Sequence, residues 1–310
     1  MRVLAADIGA THSRLALVAG ADVASERYRN TAFTDLYQVI ERFEEDAGFS
    51  ADTIGNVVIA LPAPVARQPV RLTNIDWQVD SARLQSMFPG SEVLLVNDFQ
   101  AAAVGALGAQ RLRSLNPLAS ASASGAAVVT GAGTGLGMAW VADVAAAAMP
   151  HATEGGHADF APADAQQRDL HAWLQARHGA HVSYERLLCG DGLSAIHAFL
   201  GDGTQLPARQ VQQAAQRGDA LAVQAINLFV SVFGGYAGNL ALFFNPPAGI
   251  YLCGGVVGHL ADWFGDDFRQ AFYNKGRMRH MVEQVPVFLV DHADIGLQGA
   301  IKIAKSTIRT

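Results

Sequence analysis

Short apolar runs broken by small-residue turns open this chain. Val3-Leu-Ala-Ala6 is one run, and Ser13-Arg-Leu-Ala-Leu-Val18 is a second with apolar residues at alternate positions. Both predict strands. Between them lies Asp7-Ile-Gly-Ala-Thr11, an acid at a strand's end followed by small residues. The layout recurs further on: Ala126-Ala-Val-Val-Thr130, then Gly131-Ala-Gly-Thr-Gly135, then Leu136-Gly-Met-Ala-Trp-Val141. Each is strand, turn, strand. Phosphate loops that feed a helix N-terminus need strand, turn, helix, and Leu136 and Met138 stand where GxGxxG wants glycine. A turn with free N–H groups can still form an anion nest, with Asp7 placed to hold a hydrated Mg²⁺. A plain hairpin turn explains either copy taken alone. The repetition suggests a duplicated α/β unit whose halves could grip a nucleotide's phosphates from both sides.

The remaining pattern alternates strand and helix. Leu36, Val39, Ile40 and Phe43 recur at helical spacing, with Thr34 as the expected cap and Gly48 as the stop. Val57-Val-Ile-Ala-Leu61 and Val93-Leu-Leu-Val96 read as strands buried on both faces. Leu170, Trp173 and Leu174 mark a helix ended by Gly179. Ala119-Ser-Ala-Ser-Ala-Ser124 is either a flexible linker or a surface loop. No Asp, Glu, Lys or Arg occurs between Asp219 and Asp262, a length that could span a bilayer. Polar Gln224, Asn227, Ser231 and Asn239, Gly234-Gly235 and Pro246-Pro247 favour a buried helix over roughly 219–244, capped by Asp219. The strand Gly249-Ile-Tyr-Leu-Cys253 then follows.

Composition narrows the class. A chain of 310 residues, 50% of them hydrophobic, can bury a large core in two lobes. With 22 basic against 28 acidic residues and no basic run, neither nucleic acid nor an anionic membrane is an expected partner. Cys189 and Cys253 are too few for a disulfide framework or a cysteine zinc cluster, and they suit a reducing cytosol. The first strand begins at residue 2, so no signal peptide is expected and a cytoplasmic location is.

Chemistry gathers at three further places. Asn97-Asp98 closes a strand, where open α/β sheets bind ligands, although Asp98 could equally cap the segment that follows. Glu154-Gly-Gly-His157 has metal-ligand spacing for a helix. Two glycines cost about 2 kcal/mol there, so a loop presenting an acceptor and a switchable donor fits better. Glu185, in Ser183-Tyr-Glu185, is by default a charge in a helix's first turn.

These stretches together resemble the bacterial glucokinase family, of the hexokinase-like group in the actin/sugar-kinase superfamily. The resemblance rests on Ala6-Asp-Ile-Gly-Ala-Thr11, Leu61-Pro62, Thr73-Asn74-Ile-Asp-Trp77 and Asn97-Asp-Phe99. It continues through Gly131-Ala-Gly-Thr-Gly-Leu-Gly137, Thr153-Glu-Gly-Gly-His-Ala-Asp-Phe-Ala-Pro162, Glu185-Arg-Leu-Leu-Cys-Gly190 and Gly254-Gly255-Val256. The ordered set covers residue 6 to about 300. It implies a two-lobed, ribonuclease H-like, actin-like ATPase fold of duplicated βββαβα-type domains around a central cleft. Residues 1–106 plus 296–310 would form the small lobe and 107–295 the large one.

The implied reaction transfers the γ-phosphoryl group of ATP, with Mg²⁺, to the 6-hydroxyl of glucose, feeding glycolysis. Asn97, Asp98, Glu154, His157 and Glu185 would bind sugar hydroxyls, Asn74 would line the sugar pocket, and Asp98 would be the base. Ala6, Asp7, Ile8, Gly9, Ala10 and Thr11, with Gly131, Ala132, Gly133, Thr134 and Gly135, would cradle the phosphates. Gly254 and Gly255 would lie by the adenosine, and Asp7 would hold Mg²⁺ through water. A homodimer is also implied. Such chemistry suits the residue types: phosphoryl transfer depends on positioning and charge neutralisation, and ionised carboxylates accept hydrogen bonds from sugar hydroxyls.

Two departures stand out. Ala10 replaces a second glycine usual in the family, at a cost of roughly 1–2 kcal/mol if that position needs positive φ. His12 replaces the more usual Asn. The rivals are a kinase for another hexose or an N-acetylhexosamine, and a non-catalytic sugar sensor. Relatives of the first kind tend to carry a zinc-binding cysteine cluster, for which this chain lacks the cysteines. A DNA-binding repressor would need a segment ahead of Asp7, which only six residues precede.

Overall fold

The computed structural model describes residues 2–72, 75–146, 148–292 and 294–306. Asn74 lies outside the described residues. The chain divides into two compact units, Met1–Gly108 with Asp294–Thr310, and Ala109–Ala293.

The first unit holds β1 (Arg2–Ile8), β2 (His12–Ala19), β3 (Asp22–Arg29), α1 (Leu36–Ala47) and β4 (Ile54–Leu61). Then come the short ribbon β5 (Val70–Arg71) and β6 (Gln78–Val79), α2 (Ser81–Met87), β7 (Glu92–Asn97) and α3 (Asp98–Leu107). The second holds β8 (Leu112–Ser114), β9 (Ala127–Ala132), β10 (Leu136–Val141), β11 (His151–Thr153), α4 (Ala165–His178), α5 (Gly190–Leu200) and α6 (Ala208–Gln216). It continues with α7 (Ala220–Phe244), β12 (Gly249–Cys253), α8 (Gly255–His259), α9 (Asp266–Tyr273), α10 (Arg279–Val282) and β13 (Val287–Val290). The last helix, α11 (Ile295–Ser306), returns to the first unit.

Topology confirms the duplication. The first sheet runs β3-β2-β1-β4-β7, and the second runs β11-β10-β9-β12-β13 with β8 added at its edge. In both, the opening hairpin is antiparallel and the next two strands join in parallel. Alternation explains the apolar run of β1. Leu4, Ala6 and Ile8 pack on the face covered by α1 and its Phe43. Val3 and Ala5 pack on the other face against Ala101, Leu297 and Ile301 of α3 and α11. Both faces are buried, so the run Val3–Ala6 carries no polar residue and the first one within the sheet is Asp7, near the strand's end.

Two expectations needed revision, and one open alternative is resolved. Asp35, rather than Thr34, caps α1, accepting from Gln38 N–H at 2.9 Å, while Gly48 ends it in the left-handed region as expected. β7 is only half buried at Val93, Leu94 and Leu95, because it is the sheet's edge and has one neighbour strand. Residues 119–124 form a surface loop inside the second unit, with Ser122 N–H bonded to Pro247 O. Asp219 caps α7 as predicted, accepting from Ala222 N–H at 2.8 Å. Among the described residues only α7 is long and apolar enough to cross a membrane. Its Ile226, Phe229, Val230, Phe233 and Ala237 lie instead in the second unit's core.

Candidate functional site

The first turn, residues 9–11, joins β1 to β2. Gly9 N–H donates to His12 O at 2.9 Å, which closes the turn. Asn30, almost fully buried, organises the rest. Its amide donates to Gly9 O at 2.8 Å and Ala10 O at 3.2 Å, and its oxygen accepts from Ser13 Oγ at 2.8 Å. The turn's carbonyls are thereby engaged, and no hydrogen bond from Ala10 or Thr11 N–H is found among the described residues. Two adjacent open donors are what an anion nest requires. Sequence reasoning missed Asn30 because it follows β3, twenty residues from the turn it holds. Ala10 does not have positive φ, so its Cβ carries no left-handed penalty.

Asp7 is the last residue but one of β1, beside this turn. Burial pushes its carboxyl above the usual range, and the Arg14 guanidinium, 3.5 Å away on the paired position of β2, opposes that. Arg14 Nε also lies 3.0 Å from Asp294 Oδ1. A side chain on Gly296 would sit 2.8 Å from the Asp7 carboxyl, so α11 packs directly on it. The same helix is locked to α3, where Gly299 and Gly105 leave room for backbone carbonyls of Ala101 and Ile295.

That packing fixes the N-terminus of α3, which carries the Asn97-Asp98 pair. Asn97, and not Asp98, is the cap: its Oδ1 accepts from Phe99 N–H at 2.9 Å, and Gln100 answers Asn97 N–H at 3.1 Å. Asp98 is the first helical residue, its Oδ1 accepting from Phe99 N–H at 2.8 Å.

The second turn, residues 133–135, is built by close approach. A Cβ on Gly131 would lie 2.6 Å from Cys253 O, and one on Gly135 would lie 2.5 Å from Glu185 Oε2. That carboxylate accepts from Leu136 N–H at 2.9 Å, tying the turn to the short helical turn Tyr184–Arg186. Glu154 precedes another such turn, Gly155–His157, where a side chain on Gly156 would overlap Leu136 O. The loop reading of Glu154-Gly-Gly-His157 is therefore close, and the glycines serve packing. His157 Nε2 stands 3.6 Å from Glu185 Oε1 and 3.9 Å from Glu154 Oε2. Three side chains from two segments converge beside the second turn. Among the described residues no group of three or more His, Cys, Asp or Glu is arranged for a metal. Gly254, with φ 97°, abuts Ala132, and Gly255 begins α8. A cavity of about 570 Å³ adjoins the turn, lined in part by Thr134, Glu185, Arg186, Cys189 and Asp191.

Paired units with the same strand order, each opening on a phosphate-type turn, define a sugar kinase-like fold of the actin superfamily. Comparisons with known proteins narrow this. Residues 4–307 match the glucokinase family. A curated glucokinase of Chromohalobacter salexigens is 36% identical, covering 96% of this chain and 95% of its own. The crystal structure of a glucokinase from an Antarctic psychrotroph superposes with a TM-score of 0.84 at 25% identity, covering 98% and 99% of the two chains. A ROK family glucokinase from Streptomyces griseus, solved with glucose and AMPPNP, shares the fold: TM-score 0.65, 19% identity, 99% and 100% coverage. The chain belongs to the glucokinase family.

Proposed function

We propose that this protein phosphorylates D-glucose at its 6-hydroxyl with ATP, giving glucose 6-phosphate and ADP. Family membership sets the reaction class. The observation that carries the substrate reading is the convergence of Glu154, His157 and Glu185 beside a phosphate-type turn. Two carboxylates and an imidazole accept and donate to adjacent hydroxyls, and a sugar lacking one would leave a charged group unpaired. Asn97 and Asp98 add an amide and a carboxylate for the sugar, with Asn74 as a further pocket residue. Asp98 takes the proton of the attacking hydroxyl. The transition state is loose, so an ordinary aspartate suffices as base.

Residues 6–11 and 131–135 cradle the phosphates, through the open N–H groups of Ala10 and Thr11 in the first turn. Gly254 and Gly255, beside Ala132, take the nucleoside end. The largely buried carboxylate of Asp7 suits a hard cation that keeps most of its waters. Mg²⁺ held there through water would neutralise phosphate charge. Arg14 keeps Asp7 from being an isolated buried acid. We assign the enzyme to the cytoplasm, to glycolysis and to a homodimeric state.

The test is ADP release with glucose, mannose, fructose, N-acetylglucosamine or no sugar. Glucose should give the highest kcat/KM by at least tenfold. Preference for N-acetylglucosamine, or ADP release that ignores sugar, would overturn the reading.

A further inference from the structure

A second cavity, about 860 Å³, lies within the unit Ala109–Ala293, between α7 and α9 and away from the phosphate turn. Its lining includes Tyr184, Asn239, Gln270, Asn274 and Lys275. Lys275 enters by a built route. Its Cε occupies the space that a side chain on Gly238 would fill, so glycine there lets the stem cross α7. The ammonium donates to Gly235 O at 2.9 Å and to Asn239 Oδ1 at 2.7 Å.

Both acceptors are neutral, and an ammonium has a third N–H to place. Burial alone depresses the Lys275 proton affinity, with no carboxylate contributing. The other charges on the lining are engaged or at the rim. Asp164 caps α4 through Gln167 N–H, Arg279 pairs with Glu283 at 2.7 Å, and Asp267 is exposed in the first turn of α9. A partly buried cation facing a roomy polar cavity without a counter-charge is unfavourable unless something supplies one.

We infer that this cavity binds a compact oxyanion, the carboxylate or phosphate end of a small metabolite, seated on Lys275. The site is wired to the sugar ligands. Asn239 Nδ2 donates to Tyr184 Oη at 2.8 Å, and Tyr184 is the residue before Glu185. Tyr184 N–H also bonds Ala158 O, next to His157. An anion that fixes Lys275 thus stiffens the turn presenting Glu185 and strengthens glucose binding. This coupling rests on the glucose reading above, whereas anion binding does not.

The experiment titrates inorganic phosphate, and separately malonate, into the nucleotide-free full chain by calorimetry. Lys275→Met removes the charge and keeps the stem. Asn239→Asp supplies a permanent counter-charge with almost no change of shape, so it tests the idea even if the first variant is unstable. Both variants should weaken anion binding at least tenfold while melting cooperatively. Phosphate bound at the phosphate turns persists in the variants and is subtracted. Loss of phosphate binding alone assigns a phosphate ester, and loss of malonate binding a carboxylate. Equal affinity for both anions in all three proteins would overturn the site. Saturating phosphate should also lower the glucose Kd at least twofold in the wild type and not in Lys275→Met. An unchanged glucose Kd would overturn the coupling. Absence of glucose binding altogether would instead sink the proposed function.

Discussion

The two phosphate-type turns sit at equivalent places in two sheets of the same strand order, yet they are held in different ways. The first is held by polar groups. Asn30 satisfies its carbonyls, and Asp7, Arg14 and Asp294 form a charged cluster behind it. The second is held by the absence of side chains. Gly131, Gly135 and Gly156 let Cys253 O, the Glu185 carboxylate and Leu136 O come within contact of its backbone. One topology therefore tolerates substitution differently in its two copies. A methyl group is accepted at Ala10 in the first turn, where φ is not positive; around the second it is excluded at Gly131, Gly135 and Gly156, although Gly133 at the tip has open space.

Among the variants that probe how the turns are held, the largest effect is expected from Gly156→Ala. Its Cβ would overlap a backbone carbonyl, so overpacking should cost about 1–3 kcal/mol and lower the melting temperature by several degrees. Glucose affinity should fall with it. A variant that melts like the wild type would show that the second turn is not held by close approach.

Asn30→Ala should act on the first turn alone. Losing the amide leaves two partly buried carbonyls without their donor, which costs about 1 kcal/mol. The KM for ATP should rise roughly tenfold, equivalent to about 1.4 kcal/mol, with glucose affinity unchanged. Equal losses for both substrates would mean that Asn30 supports the fold and not the turn.

A smaller effect is expected at Asp7. Its folded pKa lies above the ordinary 3.8, so the folded state binds more protons than the unfolded one between those values. Stability from this group is therefore lost as pH rises from 3.8 through the raised pKa. Asp7→Asn should remove that slope, so thermal melts of the two proteins from acid to neutral pH should diverge. Parallel curves would contradict the burial argument. Ala10→Gly is the smallest change, with the KM for ATP expected within about threefold, because no φ strain exists to relieve. A larger gain in affinity would show that the alanine is strained when nucleotide is bound.

Much of this was legible in the chain because it is written in local pattern. The two strand–turn–strand repeats, the capped α7 and the strand at Gly249–Cys253 follow from periodicity and punctuation within one segment. The convergence of Glu154, His157 and Glu185 is tertiary, and it entered only through family resemblance. Asn30 and Lys275 carried no signal at all, and Asn239 signalled only that its helix is not a membrane span. Each acts on backbone or side chains far along the chain, where a lone polar residue looks like ordinary surface. The half-burial of β7 was misread for a related reason: an edge strand and a central one share the same apolar run, and only strand order separates them.

The two units also carry the two residues to which the proposed function gives separate roles, Asp98 on the first and Glu185 on the second. The decisive measurement is kcat and the calorimetric glucose Kd of Asp98→Asn beside those of Glu185→Gln. Asn97 retains the helix cap in the first variant, so the fold is preserved. Loss of the base should lower kcat by about 10²–10⁴-fold, with the glucose Kd within about threefold. Glu185→Gln should weaken glucose binding more than it lowers kcat. If Asp98→Asn turns over within about threefold of the wild type, Asp98 is not the base and the account is wrong.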